Sequence, residues 1–152
     1  MRRSIHAIDG VGPSTRLTEA VFGALALSSR AALVEWVYRV TRTEVAAIAR
    51  LAPLVLREAA AGDAVAQEIV AEGARALARM GRAVMQRLGL GVEHLVFAGS
   101  LLTSPNPLSE RLCALFGLPA IPVPRYPPAM GAALLALQAA GESAARQPEV
   151  PA

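Results

Sequence analysis

The sequence predicts a helix-rich α/β fold, with about two short parallel strands among roughly six or seven helices. Three observations predict it. Apolar residues recur at helical spacing along most of the chain, most regularly from Ala64 to Leu88. Two short apolar runs, Leu95–Ala98 and Ala120–Pro124, are joined by a helical segment, the order of a parallel strand pair. Of the 152 residues, 54% are apolar and only 4% aromatic. Much of that apolar share is alanine, which favours closely packed helices and leaves the core to Leu, Val, Ala and Met.

The first helix is expected to follow the turn-rich segment Asp9-Gly10-Val11-Gly12-Pro13. Ser14 or Thr15 can cap it, and it runs to about Leu27 with Leu17, Val21, Ala24 and Leu25 on one face. Ser28 and Ser29 cap a second, with Leu33, Trp36, Val37 and Val40 inward. Thr41 and Glu44 have capping-box spacing and open a third, Val45–Leu51. Pro53 suits the first turn of a fourth, ending near Ala61. Asp63 caps the longest, Ala64–Leu88, which Gly89 ends.

The wheel of that long helix is divided. Ala66, Ile69, Val70, Gly73, Leu77, Met80, Gly81, Val84 and Leu88 share one side, and Glu68, Glu72, Arg75, Arg79 and Arg82 the other. The arginines read as a solvated face paired with Glu72 rather than as a binding stripe. Leu95–Ala98 then reads as a buried strand closed by Gly99. Pro105-Asn106-Pro107 starts a helix to about Phe116. In Ala120–Pro124 the two prolines place their missing N–H groups on one edge, so this strand pairs well on one side only. A last helix spans Ala129–Ala140. Two parallel strands make a poor sheet alone, so further strands are expected to be missing.

Composition excludes several function classes. All 15 basic residues are arginine, which rules out a phosphate-loop, Schiff-base or general-base lysine within this chain. The net charge of +3 is modest and its arginines are scattered without an aromatic patch, so no nucleic-acid partner is expected. The single Cys113 leaves no internal disulfide or cysteine-based zinc site, and cytosol is the default compartment. No uncharged stretch reaches the roughly 20 residues of a membrane span, and no apolar run follows the basic start, so no membrane association is expected. Only Asp9 and Asp63 are aspartates, and His6 and His94 have no serine or cysteine at catalytic spacing. A nucleophilic triad, a two-carboxylate site and a metal site are all unsupported. What remains is Gly99 at the carboxyl end of a predicted parallel strand, where backbone can approach a ligand. A tight turn would place a glycine there too.

Five segments in order carry a family resemblance. Leu95-Val96-Phe97-Ala98-Gly99-Ser100 resembles the adenosine motif of the sugar kinase/actin/Hsp70 superfamily. Pro128-Ala129-Met130-Gly131-Ala132-Ala133-Leu134-Leu135-Ala136 resembles its closing-helix motif. Asp9-Gly10-Val11-Gly12-Pro13-Ser14-Thr15-Arg16-Leu17-Thr18 is similar to an Asp-Gly-Arg-Gly-Pro-x-Thr-x-Leu-Thr segment. Ile48–Val55 and Ala59–Asp63 complete the series. Together they resemble the BadF/BadG/BcrA/BcrD-type ATPase family on its N-acetylglucosamine kinase side.

The resemblance implies a partial RNase H-like, actin-like ATPase domain over residues 1–140, the C-terminal adenosine side, with a disordered tail over 141–152. It implies that the complete enzyme uses ATP and Mg²⁺ to phosphorylate an amino-sugar hydroxyl. The nucleotide-contacting positions carried over are Gly99, Ser100 and Gly131. Ser100 replaces the usual second glycine and Val11 the usual arginine, both compatible with decay of function. Both phosphate loops and the catalytic carboxylate would lie upstream, so the chain is expected to be incomplete alone. An N-terminal half or a second copy would complete it, and apolar faces should be exposed where the missing parts pack. A noncatalytic remnant or interaction module is the alternative. An ATPase activator of an acyl-CoA dehydratase or reductase is a further one, against which lone Cys113 argues, because such activators hold an iron–sulfur cluster through interface cysteines.

Overall fold

A computed structural model describes residues 7, 9–43 and 45–145. His6, Glu44 of the expected capping box and residues 146–152 of the expected tail lie outside them. The chain divides into two compact units, one ending at Pro122 and one beginning at Val123.

The first unit is a stack of capped helices. Helix α1 (Leu17–Leu25) opens where the Leu17 amide donates to the Thr15 hydroxyl, 3.1 Å. It stops two residues before the expected end, at Ala26 in the left-handed region (φ 51°). The Ser29 hydroxyl accepts from the Ala32 amide and caps α2 (Arg30–Thr43), which buries Leu33 and Val40. Thr41–Thr43 therefore belong to the end of α2 rather than to the start of α3 (Val45–Ala49). Helix α4 (Ala52–Ala60) carries Pro53 in its first turn, as expected.

Helix α5 (Ala64–Leu88) keeps its expected bounds. The Asp63 carboxylate accepts from the Ala66 amide at 2.8 Å, and Gly89 at φ 64° closes the helix. Its first half packs Val65, Ala66 and Val70 against Leu17 of α1 and Ala59 of α4. Further along, Ala78 joins Phe97, with Leu112 and Cys113 of α6 (Pro107–Phe116). Gly81 leaves room for the Phe116 ring, whose tip would lie 2.9 Å from an added Cβ. Beyond that contact the expected inward face is uncovered: Met80, Val84 and Leu88 are 67%, 56% and 63% exposed.

The two expected parallel strands are not formed, and among the described residues there is no strand at all. The RNase H-like architecture is therefore not seen. Leu95–Ala98 and the segment through Pro122 are joined by one hydrogen bond, Phe97 N–H to the Pro122 carbonyl at 3.0 Å. In a parallel ladder the return bond to the Phe97 carbonyl would come from the amide of residue 124, which is a proline. The pairing cannot propagate through that position, and no third strand flanks it among the described residues.

The second unit holds α7 (Pro128–Ala145), which continues past the expected end near Ala140, so residues 141–145 are helical. No single described helix is long and apolar enough to cross a membrane. The α1–α2 pair reaches that composition only jointly, across a 68° bend.

Candidate functional site

The Gly99 turn is built from both sides. Phe97, 3% exposed, fixes the incoming segment in the core beside Ala78, Leu112 and Cys113. Gly99 then takes φ +89°, a conformation that L side chains rarely adopt. Its carbonyl accepts three hydrogen bonds, from the Leu102 amide (3.0 Å), the Thr103 amide (3.1 Å) and the Thr103 hydroxyl (3.1 Å). That oxygen is turned into the loop. On the other side of Gly99 nothing lies within 4 Å of where a Cβ would stand, and Ser100 is exposed.

Asn106 holds the far end of the loop. Its side-chain amide donates to the Leu101 and Ser104 carbonyls, both at 2.8 Å, and its oxygen accepts from the Leu108 and Ser109 amides at the start of α6. The buried Ser109 hydroxyl donates back to the Ser104 carbonyl, 2.9 Å, and accepts from the Asn106 amide, 3.0 Å. One residue thus caps a helix and fastens the turn in front of it. Sequence reasoning used Pro105-Asn106-Pro107 only as a helix start. The signal that could have found it is Asn before an N-terminal Pro with Ser three residues on, a capping-box variant.

Gly131 lies in the first turn of α7, where its amide donates to the Pro127 carbonyl at 3.0 Å and no atom crowds its Cβ position. It belongs to the second unit.

A second polar cluster joins Asp63 to the segment before α1. The Thr15 hydroxyl donates to the carboxylate at 2.9 Å, and the Arg16 amide donates to Oδ2 at 2.8 Å. The Arg16 guanidinium continues to the Ala61 carbonyl at 2.7 Å and to Glu58 at 3.5 Å. Burial pushes the Asp63 carboxyl up. The Ala66 and Arg16 amides, the Thr15 hydroxyl and the Arg16 charge outweigh that and hold it below the usual carboxylate range. Both oxygens are already engaged by these donors, so Asp63 is a structural anchor and not a base, although it borders a 420 Å³ cavity with Ser14, Glu19 and Gly62. Asp9 is likewise committed, to Arg30 at 2.6 Å. Among the described residues no three His, Cys, Asp or Glu side chains come together. What the first unit offers chemically is a rigid, glycine-opened backbone turn.

Comparison with known proteins places the chain in a family. The model of the BadF/BadG/BcrA/BcrD ATPase family matches residues 1–136, most of the chain. The chain belongs to this family. An N-acetyl-D-glucosamine kinase of Dictyostelium discoideum is 31% identical to it across 90% of the chain. The match covers 45% of that kinase, so the chain spans about half the length of this curated relative. No solved structure matches significantly.

Proposed function

We propose that this chain is the adenosine-side half of an ATP-dependent amino-sugar kinase of the cytoplasm, completed by an N-terminal half or a second copy. The single observation that carries the reading is the N-acetyl-D-glucosamine kinase relative, aligned over nine-tenths of this chain. The Gly99 turn supports it: with φ +89° and open space at its Cβ position, backbone there can approach a planar base. Gly99 and Ser100 are the contacts proposed on this side, and Gly131 the contact from the closing helix. The Ser100 side chain narrows the approach.

The residues present do not fit the rest of the nucleotide. Phosphoryl transfer depends on holding the γ-phosphate and its Mg²⁺. The described residues offer no cluster of carboxylates and, lacking lysine, no phosphate-loop cation of that kind. Those parts are assigned to the completing half. The uncovered apolar face at Met80, Val84 and Leu88 supports a completing partner and equally favours a second reading, an interaction module without catalysis. The acyl-CoA dehydratase activator reading is disfavoured, because Cys113 is 7% exposed and packed against Phe97 and Leu112.

The test is reconstitution. This chain is mixed with an N-terminal half bearing an Asp-x-Gly-x-Thr phosphate loop, and ATP-dependent phosphorylation of N-acetylglucosamine is measured. Activity in the mixture and in neither half alone is expected. Activity of the isolated chain contradicts its incompleteness, and a mixture that forms a complex yet transfers no phosphate to any amino sugar leaves the interaction module.

A further inference from the structure

A hollow of about 270 Å³ opens between α5 and α6, away from the Gly99 turn. Its walls are Ala71, Ala74 and Ala114 with Leu115, and two guanidinium-bearing residues border it, Arg75 from α5 and Arg111 from α6. Several other arginines have partners. Arg16 and Arg57 contact Glu58, Arg30 contacts Asp9, and Arg82 donates to the Leu115 carbonyl and lies over the Phe116 ring at 5.5 Å. Arg75 and Arg111 are exposed, and neither has a hydrogen bond or ion pair among the described residues. Glu72 and Glu110 are close in sequence, but no carboxylate lines the hollow.

The chemistry of such a hollow selects its ligand. A guanidinium group presents a rigid, planar fork of N–H donors. One carboxylate satisfies one fork. Two forks on one concavity match a dianion with three equivalent oxygens. Alanine walls offer no competing polar group, and partial exclusion of water strengthens each charge-assisted bond. The volume falls just below the roughly 300–1,000 Å³ of sites that take drug-sized ligands, so a whole nucleotide is too large. We infer that the α5–α6 hollow is a binding site for a phosphate group, as the free ion or a small phosphomonoester, held between Arg75 and Arg111. It is separate from the Gly99 turn and does not depend on the kinase reading.

The test is a titration of the full chain with methyl phosphate, inorganic phosphate and acetate at constant ionic strength, followed by amide chemical shifts. Saturable shifts at Ala71, Ala74, Arg75, Arg111 and Ala114 are expected with a phosphate probe. Which of the two saturates at the lower concentration tells an ester site from a free-ion site, and either result supports the assignment. Methyl phosphate should bind more tightly as pH rises through about 6 and it gains its second charge. Arg75→Gln and Arg111→Gln should each weaken binding roughly tenfold or more. Arg79→Gln, on the same helix but outside the hollow, should leave it unchanged. All three positions are exposed, and an unaltered circular dichroism spectrum confirms that each variant folds. No saturable response to either phosphate probe, equal loss in all three variants, or acetate binding as tightly as phosphate overturns the assignment.

Discussion

The α5–α6 pair and the apolar segments Leu95–Ala98 and Ala120–Pro124 are equally clear as sequence patterns, yet only the helices form regular structure. Each helix carries its own boundary chemistry: Asp63 and Gly89 bracket α5, Asn106 and Gly117 bracket α6. A helix also satisfies its backbone within itself. A strand needs its neighbours. Leu95–Ala98 has a single backbone bond to the Pro122 carbonyl, and the next donor position in register is Pro124, which has no N–H. The helical scaffold can therefore stand while the sheet that would frame the Gly99 turn does not.

The sharpest way to break that contrast is Phe97→Ala. Phe97 is the one residue of its segment buried in the scaffold, so its loss should cost about 3–4 kcal/mol in denaturant unfolding and free the whole turn. If the cost is below about 1 kcal/mol, the segment is not anchored as described.

Removing a boundary from the scaffold comes next. Asp63→Ala should cost about 2 kcal/mol, the upper range for a lost N-cap, because Thr15 and Arg16 lose their acceptor too. Asp63→Asn, which keeps one acceptor oxygen, should cost less. The pH dependence has a fixed sign. The folded carboxyl titrates below its unfolded value of about 3.9, so its contribution is complete above that value. It is lost as pH falls through the lower, folded value, and Asp63→Ala should flatten this acid limb in thermal melts.

Asn106→Ala sharpens the comparison at the join, since Asn106 serves both regions. About 1 kcal/mol is expected for the cap, together with faster hydrogen exchange at Leu102 and Thr103. An unchanged exchange rate there means that the turn is held by Gly99 alone. The smallest effect is expected at Val84→Glu, within about 0.5 kcal/mol for the isolated chain, because Val84 is 56% exposed. The same substitution should weaken assembly with a completing half.

These differences also explain what the sequence made legible. The bounds of α5 could be read from Asp63 and Gly89 because caps are local chemistry. The apolar stripe through Met80, Val84 and Leu88 was also readable, but periodicity names a face without naming what covers it. Leu95–Ala98 has the composition of a strand whether or not other strands flank it, so its failure to pair was not visible there. The arginine face of α5 is exposed, as its spacing implies, but spacing does not show that Arg82 also reaches the Leu115 carbonyl and the Phe116 ring. Gly99 is legible from its place after an apolar run, but Thr103 and Asn106, which shape its turn, act through contacts that spacing alone does not reveal. The hollow between Arg75 and Arg111 depends on how α5 and α6 pack and had no signature in either helix alone.

The proposed function places ATP against the Gly99–Ser100 turn when the chain is joined to an N-terminal half. Calorimetric titration of ATP into this chain, into an N-terminal half bearing the Asp-x-Gly-x-Thr loop and into their mixture tests it directly. Saturable heat in the mixture is expected, with tighter binding in the Ser100→Gly variant because the crowding side chain is gone. No ATP heat in a mixture that demonstrably forms a complex, or an ATP affinity unchanged by Ser100→Gly, would contradict it.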